Sequence, residues 1–255
     1  MDVATPPTTD RDALLRRFDA LLSPARFKDY GPNGLQVEGR ERIGHIVSGV
    51  TASRALIEAA IDLRADALFV HHGLFWRGHD GRVTGWLKQR LALLLAHDIS
   101  LFAYHLPLDA HPELGNNAQL GARLGWTADA HFGEQDLGCI GDADFPDAAA
   151  LARHVESGVD RPVTLVDPAR GAIKRVAWCT GGAQGFFEAA IAAGADAFVT
   201  GEISEPQAHY ARELGVAFVA CGHHASERYG APAVAGRVAA DCGLRHTFVD
   251  IDNPA

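Results

Sequence analysis

EAAIDLRADALFVHH, residues 58–72, is the stretch whose reading decides the fold of this chain. Its second half, Ala67 to Val70, is a short, fully apolar strand that ends in His71-His72-Gly73. The same pattern returns as EAAIAAGADAFVTGE at 188–202. The tetrapeptide EAAI recurs, Ala65-Asp66-Ala67 recurs as Ala195-Asp196-Ala197, and Phe198-Val199 leads into Thr200-Gly201-Glu202. The next strands also correspond: Leu101 to Tyr104 is echoed by Phe218 to Cys221, with His105 after one and Gly222-His223 after the other. We read this as an ancient duplication of a strand-and-helix unit.

Working outward, the spacing predicts a helix over Asp12 to Leu22, stopped by Pro24, then a glycine-rich loop, YGPNGLQVEG, at 30–39. A strand follows at Ile43 to Val50, and Thr51 or Ser53 is placed to cap a helix at 53–63. Helices at 86–96, 116–124, 145–155, 183–193, 205–214 and 230–242 alternate with short strands at 99–104, 163–166, 175–179, 197–200, 216–221 and 246–251. The strands are nearly uniform in hydrophobicity. That is the mark of an α/β fold, with parallel or mixed sheets covered by helices. The expected organisation is a first α/β lobe over 1–125 with residues 1–10 a flexible tail, a connecting or edge segment at 126–173, and a second lobe over 174–255.

With 255 residues the chain makes one large domain or two modest ones. Hydrophobic content of 47% with 22% charged residues excludes a disordered or fibrous chain. The net charge of −9, without a dense basic block, argues against a grip on phosphate backbone. Cys139, Cys179, Cys221 and Cys242 are too scattered for a zinc knuckle or a secreted disulfide framework. No apolar run is long enough for a bilayer, and the polar opening MDVATPPTTDRD is no signal segment. The expectation is a soluble, cytoplasmic protein.

Thirteen histidines make the strand ends worth attention, because open α/β sheets bind ligands beyond the carboxyl ends of their strands. His71 and His72 would point to opposite faces of a regular strand. At a strand end both can approach one locus, although a bland surface pair is the plainer reading. Asp109, in YHLPLDAH, is a carboxylate able to bridge two cations, or simply a turn residue; His105, upstream, is a ligand or an orienting group. Asn116 and Asn117 read as helix caps. His223 and Glu227 share a face if 223–227 is helical, offering one nitrogen and one oxygen ligand. His224 then points elsewhere, as a proton carrier or substrate contact. Glu202 is a candidate general base. GGAQG at 181–185 could hold an anion on its backbone N–H groups, or be a tight turn. His71, His72, Asp109, His223 and Glu227 together make a sparse, water-completed shell for two cations, with donors that suit Zn, Fe or Mn.

These motifs are similar to those of the NIF3-like (DUF34) dinuclear metal-centre family, in its short bacterial, YbgI-like branch. They are NGLQVEG (33–39), VHHGLFW (70–76), YHLPLDAHPELGNNAQLG (104–121), GGAQGF (181–186), ADAFVTGEISE (195–205) and GHHASERYG (222–230). The family's metal ligands carry over onto His71, His72, Asp109, His223 and Glu227. The resemblance implies two similar lobes with mixed sheets, two divalent metal ions in the cleft between them, and a homohexamer built as a trimer of dimers. Members are labelled GTP cyclohydrolase 1 type 2 homologues. The second histidine at His224 sets this branch apart from members with tyrosine there.

The function expected first is metal-dependent hydrolysis of a small molecule, with Glu202, His224 or His105 moving the proton. The alternatives are a metal-handling or regulatory protein without turnover, and a ring-shaped nucleic-acid-associated protein, which the net charge of −9 disfavours.

Overall fold

A computed structural model describes residues 7–255. In chain order the elements begin with β1 (Thr9–Asp10), α1 (Arg11–Leu22), β2 (Gly34–Val37), β3 (Arg42–Ile43), β4 (His45–Thr51), α2 (Arg54–Asp62) and β5 (Ala67–His72). Then come α3 (Gly85–Ala96), β6 (Ser100–Ala103), α4 (Leu106–Ala110), α5 (Asn116–Leu124), β7 (Ala130–Phe132), β8 (Gly138–Phe145), α6 (Ala148–Val159) and β9 (Thr164–Val166). The last are β10 (Ile173–Trp178), α7 (Phe187–Ala192), β11 (Ala197–Thr200), α8 (Glu205–Leu214), β12 (Ala217–Ala220), α9 (His223–Glu227), α10 (Gly230–Cys242) and β13 (Arg245–Phe248).

The chain divides into two compact units. One runs to Leu108 and takes back Gly230–Asp252; the other is Asp109–Tyr229 with Asn253–Ala255. The expected boundaries at 125 and 174 are therefore displaced. Two pairings explain this. β13 lies parallel to β4, with Arg245 opposite His45, so the end of the chain joins the first sheet. And the segment at 126–173 is no separate connector: β8 pairs with β10, and β7 and β9 form the edges of the second sheet. The expected flexible tail is also shorter, because Thr9 and Asp10 pair with Ile43 and Arg42 and Asp10 caps α1. Residues 1–6 of that tail lie outside the described residues.

Unit one holds a five-stranded sheet in the order β13-β4-β5-β6-β2, parallel except for β2. The glycine-rich loop at 30–39 thus contains a strand that its composition hid. Unit two holds six strands in the order β7-β8-β10-β11-β12-β9, with β10, β11 and β12 parallel and the rest antiparallel. Both mixed sheets bury two faces, which is why their strands are uniformly apolar. In β5, Leu68 and Val70 join one core with Leu56 and Leu101, while Phe69 stacks with Phe18 and Tyr104 on the other side. In β11, Ala197 and Val199 join Trp178 and Leu151, while Phe198 packs on Phe187 and Phe218.

The repeated Ala-Asp-Ala has a physical task that is the same in both units. Asp66 Oδ2 accepts the N–H groups of Gly44 and His45 at 2.8 and 3.0 Å, pinning the start of β4. Asp196 Oδ2 accepts those of Lys174 and Arg175 at 2.8 Å each, pinning β10. The same scaffold bond stands in both units. Among the described residues, no helix is long and apolar enough to cross a membrane.

Candidate metal centre

In unit one, β5 runs straight through both histidines. Their rings nonetheless lie 4.5 Å apart, centroid to centroid, with His105 at 4.9 Å from His71 and 5.7 Å from His72. A nitrogen from each of the three falls within 4.8 Å of the others. Each ring is held from behind. His71 Nδ1 lies 3.1 Å from the carbonyl oxygen of Tyr104. A carbonyl only accepts, so Nδ1 carries the proton and the lone pair of the neutral ring is on Nε2. His105 Nδ1 faces Asp29 Oδ1 at 2.7 Å, with the same consequence. His72 Nδ1 meets the Thr51 hydroxyl at 3.0 Å. Trp76 closes on His105 edge-on at 5.1 Å.

Asp29 is itself locked. Its carboxylate also accepts Asn33 Nδ2 and the N–H of Leu106, both at 2.9 Å, and Asn33 Oδ1 accepts the N–H of His105 at 2.7 Å. Burial alone would raise the Asp29 carboxyl; hydrogen bonds from His105 and Asn33 outweigh it and hold it below its usual value. A carboxylate behind an imidazole is the arrangement that orients histidine ligands in metal sites.

In unit two, α9 is helical, the condition under which His223 and Glu227 share a face, and His223 Nε2 lies 3.1 Å from Glu227 Oε2. Glu202 stands on the other side of the ring, with Oε1 2.6 Å from Nδ1. Burial pulls the imidazole pKa down, but Glu227 and then Glu202 push it up to about 9. Asp109 comes from α4, the helix that continues the chain from His105. It is buried, and its Oδ1 accepts Asn116 Nδ2 at 2.9 Å and the Thr180 hydroxyl at 3.4 Å. Oxygens of Asp109 and Glu227 lie within 4.8 Å of each other. Glu227 is only 2% exposed. Two carboxylates so close and so buried repel, and a cation is what relieves such a pair. The donor set of each unit therefore fits a divalent metal.

Gly181 explains how the carboxylate of Glu227 finds room. Its φ is +70°, and a Cβ there would lie 2.0 Å from Glu227 Oε1. Its N–H donates to Ser226 Oγ at 2.9 Å, and the helix after it, α7, has only six residues. The anion reading of GGAQG gives way to that of a turn shaped around α9.

Of the residues expected at the site, His71, His72 and His105 are brought together in unit one, and Asp109, His223 and Glu227 in unit two. Glu202 is engaged behind His223, in the place of an orienting group. His224 joins none of the potential ligand groups; it is buried, and its N–H donates to the carbonyl of Ala255. Asn116 is no cap: Gly115 takes that place, and Asn116 braces Asp109. The orienting residues Asp29, Asn33 and Thr180 carry no assigned role in the sequence, and Asn116 reads there only as a cap. Asn33 and Asn116 stand inside the quoted motifs, and Asp29 and Thr180 each immediately precede one.

A family model described as Duf34/NIF3 (NGG1p interacting factor 3) matches residues 9–254. The chain belongs to this family. A Neisseria meningitidis serogroup B relative named GTP cyclohydrolase 1 type 2 homolog is 56% identical over 238 residues, 92% of this chain and 94% of that one. An Escherichia coli K12 relative of the same name is 49% identical over 237 residues, 92% and 95% of the two chains. Among solved structures, the protein ybgI, of unknown function, superimposes with a TM-score of 0.93 at 46% identity, covering 97% of this chain and all of that one. A protein from Thermus thermophilus gives 0.86 at 32% identity, with coverage of 97% and 100%. This NIF3-family chain thus shares its mixed α/β architecture with relatives along nearly its whole length.

Proposed function

We propose that the chain is a metal-dependent hydrolase of a small molecule, in which His71, His72, Asp109, His223 and Glu227 are the ligands of two divalent cations. The observation that carries this reading is the pair of buried carboxylates, Asp109 and Glu227, within 4.8 Å. The imidazoles support it, since His71 and His105 are backed so that their Nε2 lone pairs are presented. Mixed nitrogen and oxygen donors suit Fe, Zn or Mn. Bound cations would supply Lewis acidity and a water of lowered pKa.

The chain's own residues divide the remaining work. Glu202 fixes the ring of His223 and Asp29 fixes that of His105. His105 is the residue to take up or deliver a proton, because its Nε2 is presented while Nδ1–H is tied to Asp29. Glu202, engaged with His223, orients; His224 is a reserve proton carrier within α9. The name that relatives bear places GTP first among substrates to try. On the family resemblance we also propose a cytoplasmic homohexamer, a trimer of dimers; light scattering that returned another stoichiometry would refute the hexamer.

The test is metal content per chain by mass spectrometry, on protein purified without added metal or affinity nickel, followed by a nucleotide, pterin and peptide panel. Near two equivalents, lost in Asp109→Ala, with turnover of one class, is the expected result. Metal without turnover would replace hydrolysis with metal handling. Near-zero metal with no uptake of Fe, Mn or Zn would sink both.

A further inference from the structure

Unit two contains a cavity of about 370 Å³ that shares only Asp109 with the ligand set. Its volume falls within the roughly 300–1,000 Å³ of small-molecule sites. The inner wall is buried and made by Asn117, Trp126, Leu137, Cys139 and Trp178. The rim is exposed, at Thr127, His131 and Asp136. Along one flank Ala118 and Ala122, a helical turn apart on α5, present nothing larger than a methyl group.

The polar atoms of Asn117 and Trp178 in the inner wall are already engaged. Trp178 Nε1 donates to the carbonyl of Asn117 at 2.9 Å. Asn117 Nδ2 donates to the carbonyl of Leu137 at 3.0 Å, and Asn117 Oδ1 accepts the N–H of Thr180 at 2.8 Å. Against Asn117 and Trp178 a polar ring edge would find no spare partner, and leaving it unpaired is costly; polar pairing is available only at Asp109 and the rim. A hydrocarbon ring meets two indoles whose centroids are 5.5 Å apart and loses nothing. The charge of the rim points the same way. Asp109 is committed to the ligand set, but Asp136 stands at the rim beside His131 with no lysine or arginine in the lining, so a phosphate or carboxylate arm is repelled and an ammonium attracted there.

We infer that this cavity binds an aryl group carrying a short cationic arm, with the ring against Trp126, Trp178 and the two alanines and the ammonium at Asp136. The site stands on its own observations; only a link between its ligand and turnover would rest on the hydrolase reading.

The experiment is saturation-transfer NMR on the full chain with phenethylamine, against phenylacetate and GTP, before and after metal removal with a chelator. Wild type is expected to saturate the phenyl protons of phenethylamine well above those of phenylacetate, with or without metal, and GTP is expected not to compete. Ala118→Leu and Ala122→Leu should each cut the signal severalfold; Ala122 is exposed, so that variant keeps its core. Asp136→Asn should narrow the gap between amine and acid. No saturation in wild type, undiminished signal in both leucine variants, or binding of phenylacetate or GTP as strong as that of phenethylamine would overturn the assignment. Metal content measured on the same samples separates this failure from failure of the metal reading.

Discussion

The ends of β5 and β11 occupy corresponding places in the repeat, and they do different chemistry. In unit one, Thr51 at the end of β4 braces His72, and the strand end itself delivers the imidazoles. In unit two, the place of Thr51 is held by Gly181 and that of His72 by Glu202. The strand end delivers only a supporting carboxylate, and the imidazole arrives from α9. The bonds that pin the strands, Asp66 to β4 and Asp196 to β10, are identical. The two units thus share the hydrogen bonds that build the sheet and differ at the strand ends, a neutral, nitrogen-rich set in one and an anionic set in the other.

The largest effect should come from removing the anionic set's charge. Asp109→Ala and Glu227→Ala are each expected to lose most of the bound metal, read as equivalents per chain by mass spectrometry. Thr51→Ala, in the neutral set, should keep it, since it removes one hydroxyl from behind one ring. Full metal in Glu227→Ala would break the contrast at its root.

Next comes the glycine that stands where unit one has a threonine. Gly181→Ala places a Cβ 2.0 Å from Glu227 Oε1 at a φ of +70°. A side chain in that backbone region costs about 1–3 kcal/mol before the clash is counted. The corresponding Thr51→Ala forfeits one hydrogen bond, on the order of 1 kcal/mol. Urea unfolding of the metal-free chains should rank Gly181→Ala well below Thr51→Ala. Equal midpoints would mean that Gly181 is not what makes room for Glu227.

The carboxylates behind the imidazoles should matter less than the ligands. Glu202→Gln and Asp29→Asn are expected to weaken metal affinity by about 10–100-fold, as loss of such orienting partners commonly does. Competition with a chromophoric chelator reads this directly. An unchanged affinity in both would reduce those hydrogen bonds to packing.

Much of this was legible in the sequence. The strands of the repeat were plain because both faces of each sheet are buried, and His223 with Glu227 was plain because helical spacing puts them on one face. β2 was not, because the glycines and proline around it read as a loop; nor were β7 and β8 as separate strands, because the glycines and aspartates of 126–173 read only as a connecting or edge segment. The return of β13 to the first sheet depends on a pairing with β4 200 positions away, which no local pattern encodes. The orienting residues share that difficulty. Asp29 and His105 meet across 76 positions, and nothing near either one announces the other.

The smallest effect concerns protons, and it tests whether the anionic set is anionic enough to matter. His223 in the metal-free chain is pushed up to about 9 from 6.5 by Glu227 and Glu202 against the pull of burial. Its proton therefore contributes stability that is fully present below pH 6.5 and is lost as pH rises through 9. A cation that takes Nε2 must displace that proton. Between these limits, zinc added to metal-free protein in weak buffer should release up to one proton per chain from this site, and the release should fade above pH 9. Glu202→Gln removes one of the two charges holding the proton, so it should shift the fade to lower pH and lessen the release at pH near 8. Asp29→Asn lies in the other set and should leave the shape of this curve alone. If Glu202→Gln and Asp29→Asn moved the curve equally, the division between a neutral and an anionic set would not describe how the two sets bind metal.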